Sequence, residues 1–162
     1  MPKKKESGKI PAPVSHTTRV TVRFKEADAL GIVWHGNYVT YLEDARQELG
    51  VRLGLSYEDF LAQDYFAPLV DLKIQYKAPA RYGDKVDVTA AMHWSEVPKV
   101  VTSYEIRRAK DGLLLATAET TQVLTTRAGE LVLNFPPFFA QVRQRWLNGE
   151  LAGGKTQASP FA

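Results

Sequence analysis

The stretch RFKEADALGIVWHGNYVTYLEDAR, residues 23–46, places two acids, two glycines and a histidine directly before a segment of helical periodicity. Apolar residues then recur at i, i+3, i+4, i+7 and i+11, which predicts one helix with a single apolar stripe. The stripe consists of Tyr38, Tyr41, Leu42, Ala45 and Leu49. Asn37 is the predicted N-cap of this helix and Gly50 its predicted C-terminal stop. Such a helix needs one broad apolar surface to pack against, which a sheet provides.

The segments on either side of this stretch have apolar residues at a period of two, which is typical of half-buried strands. A first strand is predicted around Val20, Val22 and Phe24, and a short second helix from Ser56 to Gln63. Further strands are predicted over residues 70–76, 86–94, 100–106, 113–126 and 131–133, and a last helix over residues 138–146. One long helix facing four or five antiparallel strands is an α+β arrangement. Its expected outline is a hot-dog fold, in which a curved antiparallel sheet wraps a central helix.

Length and composition predict one domain with a tail at each end. The chain has 162 residues, of which 44% are hydrophobic, enough for one sizeable core. We expect a disordered basic tail over residues 1–15, a folded domain over 16–148 and a flexible tail over 149–162. The net charge of +3 resides in the first tail, which has four lysines against one glutamate. A basic tail of this composition indicates a solvated segment, and we expect no nucleic-acid partner.

The composition also excludes several classes of protein. The chain has no cysteine, which rules out disulfides and thiolate metal sites and favours a cytoplasmic location. No apolar run approaches the roughly 20 residues that cross a bilayer, so we expect no membrane partner. The histidines show no ligand spacing with one another, and we expect no metal. Phosphate-binding and dinucleotide-binding glycine motifs are absent from the sequence, and we expect no cofactor.

With these elements in place, residues 23–46 resemble the opening motif of the hot-dog acyl-CoA thioesterases of the 4-hydroxybenzoyl-CoA thioesterase type. That motif has an aromatic strand end, two acids, a glycine, an apolar pair, an aromatic, a histidine or tyrosine, and Asn-Tyr before the helix. It is filled here by Phe24, Glu26, Asp28, Gly31, Ile32-Val33, Trp34, His35, Asn37 and Tyr38. KIQYKAPARYGDKVDV, residues 73–88, is similar to the second signature of the family. The matching residues there are Tyr76, Pro79, Arg81, Gly83 and Asp84.

The resemblance implies an enzyme that hydrolyses an acyl-CoA to a carboxylic acid and free CoA. It also implies a homo-oligomer, a dimer or tetramer, with each site built between two subunits. The chain departs from the family at Ala27, where threonine is frequent, and in the turn over residues 94–99, where some members hold the CoA phosphates with several bases. Lys99 is the one base in that turn, and Arg81, Lys85 and Arg127 are alternatives. The residues expected to contact substrate are Trp34, Asn37, Tyr38, Arg81 and Lys99.

Thioester hydrolysis needs a carboxylate and a hydrogen-bond donor rather than a full triad, because a thiolate with a pKa around 8.5 leaves readily. Asp28 is the predicted base or nucleophile. The helix start near Gly36 is the predicted oxyanion donor, through free backbone N–H groups and the positive end of the helix dipole. His35 is expected to contribute its main-chain N–H, with a general-base role left open. Glu26 is expected to be solvated or to tune Asp28, and Glu43 is the reserve carboxylate.

Two other functions fit the same sequence. A hydratase or dehydratase of the hot-dog fold needs a histidine and an acid paired over the substrate, and His35 with Glu43 is the available pair. A non-catalytic acyl-thioester binding module, or a thioesterase acting on acyl carrier protein, is the other alternative. The acyl group stays open between short aliphatic and aromatic: Trp34, Tyr38, Tyr41 and Trp94 could line an aromatic pocket, although aromatics at such positions more often belong to the core.

Overall fold

The structure, a computed structural model, describes residue 8, residues 10–151 and the backbone of residues 157–158. In chain order the strands are β1 (Val14–Thr21), β2 (Tyr65–Phe66), β3 (Leu69–Tyr76), β4 (Lys85–His93), β5 (Lys99–Arg108), β6 (Leu114–Val123), β7 (Thr125–Thr126) and β8 (Gln157–Ala158). The α-helices are α1 (Tyr38–Leu53), α2 (Tyr57–Ala62) and α3 (Pro137–Leu147), and 3₁₀ turns cover Phe24–Glu26 and His35–Asn37.

The main sheet has the strand order β3-β6-β5-β4-β1-β8, and β2 pairs with β7 beside it. The five longer strands are antiparallel to their neighbours, whereas β8 runs parallel to β1. The long helix α1 packs mainly against β1 and β4. The predicted α+β class and the hot-dog arrangement of a sheet around one long helix are therefore confirmed.

Helix α1 buries the predicted apolar stripe against this sheet. Every residue of the stripe is 4% exposed or less. The predicted stop at Gly50 is wrong, since the helix continues to Leu53 and ends at Gly54, which takes a left-handed φ of 74°. Gly50 instead allows a close approach: a Cβ there would lie 2.9 Å from the carbonyl oxygen of Leu55. Asn37 occupies the N-cap position, but its side chain makes no capping hydrogen bond.

The predicted domain start at residue 16 and the predicted tail over residues 1–15 are wrong at their boundary. Strand β1 begins at Val14, which is buried, and the indole nitrogen of Trp146 donates to the carbonyl oxygen of Ala12 at 2.8 Å. Sequence reasoning missed this start because the inward residues His16 and Thr18 are polar and hide the period of two. Residues 1–7 and 9 of the predicted tail lie outside the described residues.

Two other predicted segments differ from the structure. Phe24 lies in a 3₁₀ turn and is 78% exposed, because β1 ends at Thr21. The segment over residues 131–133 forms a single bridge, from Leu131 to Thr125, rather than a strand. In the predicted C-terminal tail, the β8 backbone pairs with β1, while residues 152–156 and 159–162 lie outside the described part.

Strand β3 forms one edge of the sheet and is the least covered of the long strands. Its predicted alternation of apolar residues is present, with Leu72, Ile74 and Tyr76 facing the same side as the buried residues of β6. Leu72 and Tyr76 nevertheless stay exposed because α1 lies over β1 and β4. An apolar face on an open edge strand is a surface that pairs readily with another strand.

Candidate active site

The loop between β1 and α1 forms a tight turn that begins at Asp28. The N–H of Asp28 donates to the carbonyl of Ile32 at 2.8 Å, and the N–H of Gly31 donates to the carbonyl of Asp28 at 3.0 Å. Gly31 adopts a φ of 75°, a left-handed conformation that glycine takes without strain. A bridge between Ala27 and Val33 closes the two arms of the turn. The turn therefore holds Asp28 at a fixed position relative to the start of α1.

The Asp28 carboxylate uses one oxygen for the turn and leaves the other without a partner. Its Oδ1 accepts from the N–H of Leu30 at 2.8 Å, as in an Asx turn. Among the described residues, no donor contacts Oδ2. The side chain is half-buried. A carboxylate that is anchored through one oxygen and open at the other suits a base or a nucleophile.

Glu26 is buried beneath this loop, so the expectation that it is solvated is wrong. It is 8% exposed, and its Oε1 accepts from the Arg23 N–H at 2.7 Å and from the Tyr41 hydroxyl at 3.2 Å. Its main-chain oxygen accepts from the Trp34 N–H at 2.9 Å and from the Asn37 side-chain amide at 3.0 Å. Glu26 therefore joins both arms of the loop to α1. The burial of the Tyr41 phenol and the nearby Glu26 carboxylate raise the pKa of Tyr41.

The turn before α1 presents backbone donors to the surface. Among the described residues, the N–H groups of His35 and Gly36 have no acceptor. The ring of Trp34 lies over Gly36, where a Cβ would collide with it. Tyr76 donates its hydroxyl to the His35 carbonyl at 2.7 Å, which ties the end of β3 to this turn. Free N–H groups at a helix start can stabilise an oxyanion.

The His35 and Glu43 pair that a hydratase needs does not form within one chain. The His35 ring is exposed and packs against Trp34, with 4.8 Å between ring centroids. Glu43 forms an ion pair with Arg46 on the next turn of α1. In the part of the chain that the structure describes, no acid contacts the His35 ring.

The residues predicted to contact substrate have different surroundings. Tyr38 is 3% exposed and its hydroxyl accepts from the Ala80 N–H at 3.0 Å, so within one chain its side chain is part of the core. Trp34 is half-exposed beside the free N–H groups. Asn37 commits its amide nitrogen to the carbonyl of Glu26. Arg81 is exposed next to the loop, because its backbone pairs with Ile32, and its guanidinium has no partner among the described residues.

Lys99 does not join this group within one chain. It begins β5, opposite Val123, whereas the loop follows the end of β1 at which Thr21 pairs with Lys85. Lys99 therefore lies at the far end of the sheet from Asp28. Of the alternatives for phosphate contact, Arg127 forms an ion pair with Asp64 at 3.3 Å, and Lys85 is exposed near the loop.

Trp94 and Tyr41 belong to the core and do not line an aromatic pocket. Trp94 packs edge-on against Trp146 of α3 and beneath the Arg143 guanidinium, which lies 3.8 Å from its ring centroid. Arg143 also stacks on Phe135 and donates to the carbonyl of Ser95, and burial lowers its pKa. Through these contacts Arg143 holds the turn over residues 94–99 against α3.

Two of the cavities that flank α1 are relevant to the site. The larger, about 370 Å³, lies between the second half of α1, α2 and the sheet, and sequence reasoning missed it. Its apolar walls include Leu49, Leu53, Phe60, Phe66, Met92 and Val100. The smaller, about 210 Å³, is lined by Glu26, Arg23 and Asp44 among others. Burial raises the pKa of the Asp44 carboxyl, and the positive charge of Arg23 opposes this effect.

The described residues lack a metal-binding cluster and a membrane-spanning helix. No group of three or more histidine, aspartate or glutamate residues could hold a metal ion. Within the same residues, no helix is both long enough and apolar enough to span a membrane.

Residues 22–142 match the family model of the thioesterase-like superfamily. The chain is 40% identical to YneP of Bacillus subtilis over 78 residues, which are 48% of this chain and 54% of that protein. It is 27% identical over 95 residues to the acyl-CoA thioester hydrolase YbgC of Escherichia coli O157:H7, covering 59% of this chain and 71% of YbgC. Its structure resembles that of DHNA-CoA thioesterase from Staphylococcus aureus, with a TM-score of 0.74, 29% identity and coverage of 90% of this chain and 98% of that one.

The proteins that share this fold and this loop are thioester hydrolases with a hot-dog fold. The chain belongs to the thioesterase-like superfamily, which confirms the resemblance found in residues 23–46 and 73–88. The YneP match spans about half the length of that relative.

Proposed function

We propose that this protein hydrolyses acyl-CoA thioesters, with Asp28 as base or nucleophile and the start of α1 as the oxyanion donor. The observation that carries the proposal is the Asp28 Oδ2, which has no partner among residues 10–151, on a loop that Glu26 joins to the N–H groups of His35 and Gly36, which have no acceptor in the same range. The names of YbgC and of the staphylococcal DHNA-CoA thioesterase support a CoA thioester as substrate.

In the proposed reaction the thioester carbonyl oxygen accepts hydrogen bonds from the backbone at the start of α1. Asp28 either takes a proton from water, whose oxygen attacks the carbonyl carbon, or attacks that carbon itself and is later released by water. The negative charge that develops on the carbonyl oxygen is stabilised by the N–H groups and the helix dipole. The C–S bond then breaks and CoA leaves as a thiolate. Water is the only co-reactant, so no further cofactor is needed.

The CoA phosphates are proposed to contact Arg81, because its guanidinium is exposed next to the loop and has no partner within the described part of the chain. Lys85, which pairs with Thr21 at the end of β1, is a further exposed cation near the loop. Lys99 remains a candidate only if a second subunit brings the far end of its sheet to the loop. Arg–phosphate contacts are charge-assisted and frequently bidentate, which makes them strong.

We further propose that the active form is a homodimer in which β3 pairs with β3 of a second copy. The motive is an open edge strand whose apolar residues Leu72 and Tyr76 are exposed on the inner face of the sheet. Antiparallel pairing of two β3 strands about a two-fold axis would satisfy their unpaired backbone groups and cover these side chains.

A thiol-release assay on a panel of acyl-CoAs tests the proposed activity. Free CoA at a rate proportional to enzyme concentration supports hydrolysis. A change in conjugation absorbance without thiol release would support the hydratase alternative instead. Binding of an acyl-CoA with neither signal would support the binding module.

A further inference from the structure

The peptide group between His35 and Gly36 is held by a side chain from a different part of the fold, that of Tyr76. The Tyr76 hydroxyl donates to the His35 carbonyl oxygen at 2.7 Å, a bond between residues 41 positions apart. A peptide group is planar, and in its trans form the C=O and the N–H point in opposite directions. The hydrogen bond that fixes the His35 carbonyl therefore also fixes the direction of the Gly36 N–H.

This N–H is one of the two donors that the proposed reaction uses at the start of α1. It has no acceptor among the described residues. Its own backbone constrains it weakly, because His35–Asn37 is a single 3₁₀ turn and glycine has more conformational freedom than any other residue. A small rotation of this one peptide would turn the N–H away from a substrate carbonyl.

The backbone of Tyr76 is fixed by the sheet and not by the loop. Tyr76 is the last residue of β3 and pairs with Ala116 of β6. The next two N–H groups, those of Lys77 and Ala78, both donate to the carbonyl of Leu115, at 2.8 and 3.1 Å. The contact from Tyr76 therefore connects the His35–Gly36 peptide to a rigid part of the molecule.

The ring of Tyr76 is oriented by Tyr38. The two rings pack edge-on, with 5.1 Å between their centroids and 82° between their planes. Tyr38 is buried, and its own hydroxyl accepts from the Ala80 N–H at 3.0 Å. Partial burial raises the pKa of the Tyr76 phenol, so the hydroxyl keeps its proton at neutral pH and can donate. Both the ring and the backbone of Tyr76 thus direct its hydroxyl towards His35.

We infer that Tyr76 is a positioning residue for thioester hydrolysis, whose hydroxyl directs the Gly36 N–H at the substrate carbonyl oxygen. The same hydrogen bond polarises the peptide, which makes its N–H a stronger donor to the negative charge that develops on that oxygen. Tyr76 acts through the peptide and takes no part in bond breaking. The inference rests on the proposed function, because it concerns the oxyanion donor of that reaction.

Tyr76→Phe tests this role, because it removes the hydroxyl and keeps the ring that packs on Tyr38. Removal of a whole oxyanion donor costs about 10² to 10³ in kcat, and here one donor is misdirected rather than lost. We therefore expect kcat for thiol release to fall by about 10- to 100-fold. KM should stay within about threefold, since the N–H acts mainly in the transition state.

Tyr82→Phe is the matched control. Tyr82 is exposed beside the same loop, with its ring 5.6 Å from that of Phe24, and its hydroxyl makes no hydrogen bond within the described part of the chain. This variant should keep full activity. Replacement of Tyr76 by 4-aminophenylalanine, which has an N–H donor in place of the hydroxyl, should restore most of the kcat that Tyr76→Phe loses.

Binding of two unreactive analogues distinguishes positioning of the donor from a general structural role. The first is a ketone in which CH₂ replaces the thioester sulfur, and the second is a thioether in which CH₂ replaces the carbonyl. Only the ketone offers an oxygen to the Gly36 N–H. Tyr76→Phe should weaken binding of the ketone by about fivefold, the usual effect of one hydrogen bond, and leave binding of the thioether unchanged in calorimetry.

The outcomes separate this inference from the proposed function. If the wild type releases no thiol from any acyl-CoA, the proposed function fails. If the wild type is active and Tyr76→Phe keeps its kcat, or weakens both analogues alike, only the role of Tyr76 is overturned. A Tyr76→Phe variant that loses its thermal transition in circular dichroism would show that the hydroxyl supports the fold, and would also overturn the inference.

Discussion

Replacement of Asp28 by asparagine isolates the charge that the proposed mechanism requires. The Oδ1 of Asp28 accepts from the Leu30 N–H at 2.8 Å, and an asparagine Oδ1 can accept the same hydrogen bond. The turn and the fold should therefore survive. The carboxylate is lost, and with it the ability to take a proton from water or to attack the carbonyl.

The expected effect is a fall in kcat of about 10² to 10⁴, the usual cost of removing a general base. That range corresponds to about 2.7–5.4 kcal/mol in activation free energy. Loss of the turn hydrogen bond alone would cost about 1 kcal/mol of stability and would lower the thermal midpoint rather than kcat. Thiol release on one good substrate and circular dichroism on the same sample distinguish these two effects.

Asp111→Asn is the matched control. Asp111 also accepts through Oδ1 from the N–H two residues on, that of Leu113 at 3.0 Å, in the turn between β5 and β6, which makes no hydrogen bond to the Asp28 loop among the described residues. The Arg108 guanidinium holds the pKa of Asp111 at about 2, so its carboxylate is charged at the assay pH. The control loses the same charge and should keep full activity. An active Asp28→Asn variant would refute the assignment, and Glu43 would be the next residue to change.

Four further predictions follow from the same contacts. His35→Ala should lower turnover by no more than roughly tenfold, because the main-chain N–H survives; a dead variant would transfer the base role to the His35 ring. Leu72→Asp should convert the dimer to monomer in light scattering and abolish thiol release, and an active monomer would contradict the β3 interface. Glu26→Ala should lower kcat with KM little changed, whereas Glu26→Gln, which still accepts from the Tyr41 hydroxyl, should retain most activity; equal losses would show that charge, not position, matters. Burial, reinforced by Arg52 and opposed by Glu48, lowers the pKa of His16, so stability should be full above pH 6.5 and fall as pH decreases below it. His16→Gln should flatten that dependence in thermal melts at pH 5 and pH 7, and an unchanged slope would exclude His16 as its source.

The sequence predicted those parts of the fold that depend on local periodicity. The stripe of α1 is buried as expected, because its spacing matches one helical face and the sheet supplies the opposing surface. Turns with a strong local signal were also found, such as Ser56 capping α2 through the Asp59 N–H. The start of β1 was missed because His16 and Thr18 are buried polar residues, and a pattern of apolar residues does not reveal them.

The candidate site was predicted less completely, because its features depend on contacts distant in sequence. Asp28 was identified from its motif, but the burial of Glu26 depends on Tyr41, fifteen residues away. Tyr38 was assigned to the substrate, although its hydroxyl faces Ala80, forty-two residues away. Tyr76 was identified from the second signature, but its contact with the His35 carbonyl joins residues forty-one positions apart.

The exposure of β3 shows a different limit. The alternation of Leu72, Ile74 and Tyr76 predicts a face that is buried, and within one chain α1 does not cover it. The alternation of apolar residues predicts that one face of β3 is buried, but it does not indicate whether the same chain or a second copy packs against that face. The proposed dimer accounts for the exposure of Leu72 and Tyr76 in one chain, because a second copy then packs against them.

The proposed activity of this protein is hydrolysis of the C–S bond of an acyl-CoA at the Asp28 loop. The most direct measurement is a time course of free thiol and of carboxylic acid from one acyl-CoA, run with the wild type and with Asp28→Asn side by side. We predict equal amounts of thiol and acid from the wild type and a rate at least about a hundredfold lower from the variant. Wild-type turnover that changes the conjugation absorbance without releasing thiol would refute hydrolysis, and equal thiol release from both proteins would refute the role of Asp28.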